Sequence, residues 1–276
     1  MSIDARTARP APAPVRRARG LPDWSPGVLG LVGFALVLEL LPRTGLVAER
    51  FFPPFSAMVT ALVRAMGTAE FWDATGQTVR AWATGLAIAV ALGIGLGLLL
   101  GSVEVVRRAT ASTVEFLRPV PSVALIPLAV LVFGTTSIRS TLLLVVYASF
   151  WQILIQVVYG VQDVDPVARE TARSYQLGRW ARVRHVVWPT ALPYVLTGVR
   201  LGAAVALILA VTAGLVGIGH GLGWLIGSAQ SGNDVPLVYG LVLFTGLLGV
   251  LINLLARALE RRALPWHSSV RADIGG

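Results

Sequence analysis

Six apolar runs of membrane length dominate the chain, at about 24–42, 76–101, 119–134, 138–160, 193–217 and 235–256. Hydrocarbon offers no partner for backbone N–H and C=O groups, so runs of this length fold as helices that satisfy those groups internally. The expected architecture is therefore an all-α integral membrane protein with six transmembrane helices. The third run is short and holds Pro121 and Pro127, so it is expected to kink or to be partly re-entrant. Between the first two runs, Pro53 and Pro54 precede an amphipathic stretch from Ser56 to Met66. That stretch is expected to lie as an interfacial helix on the outer face, capped by Ser56.

Composition supports the same class, since the 276 residues are 55% hydrophobic and only 13% charged, with a mean hydropathy of +0.73. There is no cysteine, which excludes disulfides, thiolate metal sites and thiol nucleophiles. All 23 basic residues are arginine, and the net charge is +9. The arginines flank the apolar runs instead of forming one patch with interleaved aromatics, which argues against nucleic acid as a partner. Residues 1–23, with five arginines and an Ala-Pro repeat, read as a disordered basic cytoplasmic tail. No Ala-x-Ala-like cleavage site follows a short apolar core, so the run from Val28 to Leu41 is expected to remain as a membrane helix. Residues 24–262 form the membrane domain and 263–276 a cytoplasmic tail.

Arginine placement sets the orientation. With the N-terminus inside, seventeen arginines fall on the inner side, including Arg107, Arg108 and Arg118, and five on the outer side. Both termini and the 163–192 loop are then cytoplasmic, with Pro53 and Gly221 outside. Two spans carry small residues at every fourth position: Gly85, Ala89, Gly93, Gly97 and Gly101, then Gly198, Gly202, Ala206, Ala210 and Gly214. Each ladder gives its helix one smooth face, suited to close packing within the subunit or to a subunit contact.

Polar side chains inside apolar spans mark a path or an interhelical bond, because their burial in hydrocarbon is costly. Tyr147, Ser149, Gln152, Gln156, Arg200 and Thr212 are candidates for a translocation path. Gln152 and Gln156, one turn apart, either line that path or bond a neighbouring helix. Arg200 either snorkels to the interface or offers its charge to an anion in transit. His185, His220 and His267 lie in different segments without carboxylates at metal-ligand spacing, and a chain without lysine cannot hold a phosphate loop of the Walker type.

The 163–192 stretch is a polar, arginine-rich island between two apolar runs. Asp165 is placed to cap a helix whose first residue is Pro166, ending near Gly178. A second amphipathic turn, with Trp180, Val183 and Val187 on one side, is expected to stop at Trp188-Pro189, because a residue preceding proline avoids the helical region. Glu170 is either a solvated carboxylate near a helix start, pairing with Arg169 or Arg173, or part of a protein contact. Arg179, Arg182 and Arg184 pair with acids of a partner or meet anionic lipid headgroups.

Glu170, Ala172, Pro189 and Pro193 resemble, in order and spacing, the Glu-Ala-Ala loop of ABC-importer permeases. Thr171 stands for the first alanine of the triplet, Trp188 for a leucine, and Gln176 for the glycine. Glu115 to Gly134 and Gly221 to Ile226 are similar to segments of the permeases for sulfonates, taurine, nitrate or bicarbonate. The resemblance implies the fold of a type I ABC importer permease in the bacterial cytoplasmic (inner) membrane, carrying a small organic or inorganic anion. It implies as partners a second permease copy or paralogue, two ATP-binding subunits and an extracytoplasmic substrate-binding protein. It implies no cofactor on this chain, with ATP and Mg on the partner subunits. Coupling to the ATPase would fall to a helix with Glu170, Thr171, Ala172 and Arg173, followed by Gln176, Gly178, Arg179, Arg182 and Pro189. Two other classes remain: a stand-alone secondary transporter, which the scarcity of ionisable residues in the spans disfavours, and a membrane-embedded enzyme, which needs clustered His, Asp or Glu.

Overall fold

A computed structural model of the chain describes residues 25–45 and 47–264. The expected tails lie outside these residues, apart from Ala263 and Leu264. Two units divide the chain, residues 1–55 and 56–276. In the first, α1 (Ser25–Arg43) is a 19-residue apolar helix that closes with an ion pair between Glu39 and Arg43, one turn apart.

The second unit is helical throughout its described residues. It comprises α2 (Phe55–Met66), α3 (Ala69–Ser102), α4 (Glu104–Leu117), a 3-10 turn at Ser122–Leu125, α5 (Ile126–Phe133), α6 (Ile138–Gln162), α7 (Pro166–Ser174), α8 (Arg179–Arg182), a π turn at Val183–Val187, α9 (Trp188–Leu215), α10 (Leu222–Ser231) and α11 (Val235–Ala263). Helix α2 starts at Phe55, so Ser56 stands in its first turn and not at the cap. Thr68 caps α3 by accepting from Phe71 N at 3.3 Å. Among the described residues four helical stretches are long and apolar enough to cross a membrane: α3, α6, Arg179–Leu215 and α11. The bent pair 104–117 and 122–133 makes a fifth if counted as one span.

Both small-residue ladders pack inside the subunit, on opposite sides of α6. A β-carbon at Gly85, Gly93, Gly97 or Gly101 would lie 2.5–2.8 Å from side-chain atoms of Val145, Ile153, Val157 and Val161 respectively. The constant offset of this register shows that α3 and α6 run parallel. On the other side Gly198 meets Gln156 and Ile153, and Gly202 meets Ile153 and the Ser149 carbonyl, so α9 runs antiparallel to α6. Lipid is as apolar as a leucine side chain, so dispersion from such close approach holds these helices together. Three polar contacts fix the same bundle: Trp82 Nε1 donates to Ala203 O at 2.9 Å, Ser149 Oγ donates to Gly202 O at 3.1 Å, and Arg200 pairs with Glu260 at 3.2 Å.

The third span has the kink expected of it, and the parallel register moves its start. The segment between α3 and α6 must return along the length of α6, and it does so first as α4. Leu117 at the end of α4 accepts from Tyr147 Oη at 2.6 Å, beside the middle third of α6. The chain then bends by 84° and continues as α5, which has only eight residues. The return therefore begins at Glu104 and not near 119. Pro119, Pro121 and Pro127 lack the donors that would let one straight helix continue. Arg118 accordingly lies beside the body of α6 and not at its end.

The ladder register generates a test. Gly97→Ala places a β-carbon 2.6 Å from Val157 Cβ, a clash expected to cost roughly 1–3 kcal/mol. Gly95→Ala, with nothing within 4 Å, is expected to be neutral or mildly stabilising through helix propensity. Thermal unfolding in detergent should rank Gly97→Ala clearly below Gly95→Ala, and equal midpoints would show that α3 does not pack on α6 through this face.

Candidate functional site

The polar island forms a two-helix elbow between α6 and α9. Asp165 Oδ1 accepts from Val167 N at 2.8 Å, and Pro166 occupies the first helical turn, where a missing donor costs nothing. Val164 and Ala172 are buried, which turns the inner side of α7 toward the bundle. Arg169 Nη2 donates to Val161 O at 2.6 Å, and Tyr194 Oη donates to Asp163 Oδ2 at 2.9 Å. Helix α7 is thus tied to the end of α6, and the end of α6 to α9.

Helix α7 ends at Ser174, earlier than the expected end near Gly178. Gln176 has φ of 52°, in the left-handed region, while Gln176 N donates to Arg173 O at 2.8 Å and Leu177 N to Ala172 O at 3.0 Å. These two bonds form a Schellman cap with Gln176 at the position that normally takes glycine. The glycine that the loop resemblance calls for therefore has a conformational reason, which Gln176 meets at a cost. Gly178, with φ of −58°, carries no such demand and precedes α8.

The second helix does not stop at Trp188-Pro189. Residues 179–215 are one continuous helical stretch, with Trp188 at φ −62° and ψ −47°. Trp188 N donates to Val183 O, a π-type bond, so the wider turn at Val183–Val187 takes up the proline whose ring would otherwise crowd the preceding turn. Trp180 is also misplaced by the amphipathic reading, being 76% exposed whereas Val183 and Val187 are half-buried.

Glu170, Thr171, Arg173, Gln176, Gly178, Arg179 and Pro189 are exposed, and Glu170 pairs with neither Arg169 nor Arg173. Arg169, Ala172, Arg173, Arg179 and Arg182 come together around a cavity of about 550 Å³ next to Glu104. Val167 and Tyr175, not singled out in the sequence, are 68% and 78% exposed and give the elbow an apolar and aromatic surface beside Glu170. Their position within a polar run was the available signal, since exposed aromatics cluster at protein contacts.

The candidate path residues divide. Tyr147 and Ser149 spend their hydroxyls on carbonyls of neighbouring helices, Thr212 donates to Ile208 O within α9 at 2.8 Å, and Arg200 is held by Glu260. Gln152 is exposed and Gln156 half-buried, with no hydrogen bond from either amide among the described residues.

A family model for the binding-protein-dependent transport system inner membrane component matches residues 89–265. The chain belongs to this family. It is 32% identical over 231 residues to the taurine transport system permease protein TauC of Escherichia coli (strain K12), covering 82% of this chain and 84% of TauC. It is 30% identical over 238 residues to the putative aliphatic sulfonates transport permease protein SsuC of the same organism, covering 86% and 89%. The riboflavin transport system permease protein RibX of Chloroflexus aurantiacus is 32% identical over 246 residues, covering 89% and 86%. In fold, the chain is similar to a subunit of the inward-facing MetNI methionine ABC transporter, with TM-score 0.62, 19% identity and coverage of 70% and 95%. The chain is thus an inner-membrane permease subunit of an ABC importer with the type I fold. It is not an enzyme by itself: ATP hydrolysis lies in separate subunits, and ATPase and binding-protein partners complete the importer.

The cap geometry makes a prediction for this permease. Gln176→Gly removes the left-handed strain, offset in part by glycine's greater chain entropy, for a net gain of about 0.5–1 kcal/mol. Gln176→Val, β-branched at positive φ, is expected to lose at least as much. Hydrogen exchange at the Gln176 and Leu177 amides should slow in the first variant and quicken in the second; the opposite order would refute the Schellman cap.

Proposed function

We propose that the permease carries a small sulfonate across the inner membrane and that α7 is the coupling helix of the importer. The observation that carries the coupling reading is an elbow held firmly on its bundle side while Val167, Glu170 and Tyr175 stand exposed. Two such permeases, or one with a paralogue, work with two ATPase subunits that bind ATP and Mg and with one extracytoplasmic binding protein. The chain crosses six times, counting α1 and the bent α4–α5 return, with both termini and the 163–192 loop in the cytoplasm. The arginine excess supports this orientation.

Closure of the ATPase pair draws the two elbows together. Because α7 is bonded to α6 through Arg169, and the end of α6 to α9 through Asp163 and Tyr194, its displacement passes to both helices, and the permease shifts between inward-open and outward-open packings. Gln152 and Gln156, with uncommitted amides, are the α6 side chains available to a passing solute. TauC and SsuC favour a sulfonate over nitrate or bicarbonate. RibX, equally similar, supports riboflavin as a second reading, which uptake by the assembled importer decides directly.

Glu170→Arg is expected to insert and assemble in the membrane yet to lose most binding-protein-stimulated ATPase activity and uptake, on the order of ten-fold. Asp273→Arg, outside the described residues, is expected to change neither. Normal stimulated hydrolysis and uptake in Glu170→Arg would move the contact away from this helix. Orientation is checked separately by single cysteines, since the native chain has none. A membrane-impermeant thiol reagent applied to intact cells should label a cysteine at 221 and spare one at 182, and the reverse pattern would invert the topology.

A further inference from the structure

Charged side chains along a membrane span face protein or water, because a bare charge beside hydrocarbon is too costly. Helix α4 and its C-terminal cap carry three that have no partner among the described residues: Arg107, Glu115 and Arg118. Its other pair, Glu104 and Arg108, is closed by an ion pair at 2.5 Å. With Thr110, Ala111 and Val114, the three unpaired residues line one side of a cavity of about 600 Å³. Leu154, Ile155 and Val158 of α6 line the other. This volume lies within the range of small-molecule sites.

One arrangement points to a ligand. Glu115 on α4 and Arg118 at its C-terminal cap are one turn apart yet do not pair, leaving opposite charges open around one cavity. The Leu117–Tyr147 bond sets both residues beside the middle third of α6.

We propose that this cavity between α4 and α6 receives a zwitterionic aminoalkanesulfonate, its sulfonate held by Arg118 and Arg107 and its ammonium by Glu115. The geometry suits a solute with separated opposite charges better than a plain anion, which Glu115 repels. An uncharged heterocycle leaves all three charges unpaired. The inference deepens the sulfonate reading and rests on it.

The test uses the complete importer in proteoliposomes with its binding protein, and two probes that share a sulfonate: taurine, and isethionate, in which a hydroxyl replaces the ammonium. Binding-protein affinity for each probe is measured first. Arg118→Gln is expected to lower uptake of both roughly ten-fold or more, the loss of one charge-assisted hydrogen bond. Glu115→Gln is expected to lower taurine uptake by a similar factor while isethionate uptake holds or rises, which also shows that this variant is folded. Retained binding of the ATPase subunits provides the same control for Arg118→Gln. Equal effects of Glu115→Gln on both probes, or unchanged uptake in Arg118→Gln, overturn the proposal while wild-type taurine uptake leaves the sulfonate reading standing. If the binding protein takes neither probe and the wild type carries neither, both readings fall together.

Discussion

The close approach of α6 to two neighbours at once is the contact on which the rest of this permease depends. In water, burial of leucine drives helices together, but in lipid that term vanishes and only contact distance and polar bonds remain. The ladder from Gly85 to Gly101 lets Val145, Ile153, Val157 and Val161 sit where β-carbons would otherwise be. Gly198 and Gly202 do the same for α9 from the other side. Polar bonds then act as register pins: one hydroxyl from Ser149 and one indole from Trp82 reach backbone carbonyls on α9, costing no charge burial. An ion pair between Arg200 and Glu260 joins α9 to α11 and is partly exposed at both ends.

Much of this architecture is legible in the residues, and what is not has identifiable physical causes. Four of the apolar runs and the polar island survive in the structure, as does the Asp165-Pro166 start of α7, because each depends on a local rule with a large penalty. The kink expected of the third span from its prolines is present, but its start was misread because α4 has charges along one side, so its apolar remainder did not register, whereas the proline-rich stretch after it did. The end of α7 was misread because Gln176 holds a conformation that propensity assigns to glycine. Trp188-Pro189 was read as a break because the rule for residues before proline assumes an α turn, and a π turn evades it. In all three cases tertiary context overrides a local preference by an amount comparable to that preference, about 1–3 kcal/mol.

The candidate site is legible to a different degree. Spacing alone brought Glu170, Arg173, Arg179 and Arg182 into one segment, but only the fold shows that Glu170 points away from the arginines gathered around the cavity with Ala172. The Arg169 bond to Val161 O has no sequence signature, because it depends on how α7 docks. Among the path candidates, hydroxyls were the least informative: Ser, Thr and Tyr satisfy themselves on backbone carbonyls, whereas the amides of Gln152 and Gln156 do not.

The continuous stretch from Arg179 to Leu215 constrains how the permease can move. It carries bonds to α3 at Ala203, to α6 at Gly202 and to α11 at Arg200, so bending it at mid-length would break contacts on three sides. Breaks in the helical hydrogen-bond pattern lie at its two ends. At one, Gln176 and Gly178 separate it from α7; at the other, Gly217 and Gly219 at φ of 86° and 75° lead into α10, with Gly219 N bonded to Thr135 O at 2.9 Å. The π turn at 183–187 lies just inside the first of these, where a widened hydrogen-bond pattern can change pitch without unwinding the helix. In the coupling mechanism proposed above, a pull on α7 is transmitted as rotation of the α3–α6–α9 body about its ends, the hinge-type response that a bistable, close-packed core allows and a continuously deformable one does not.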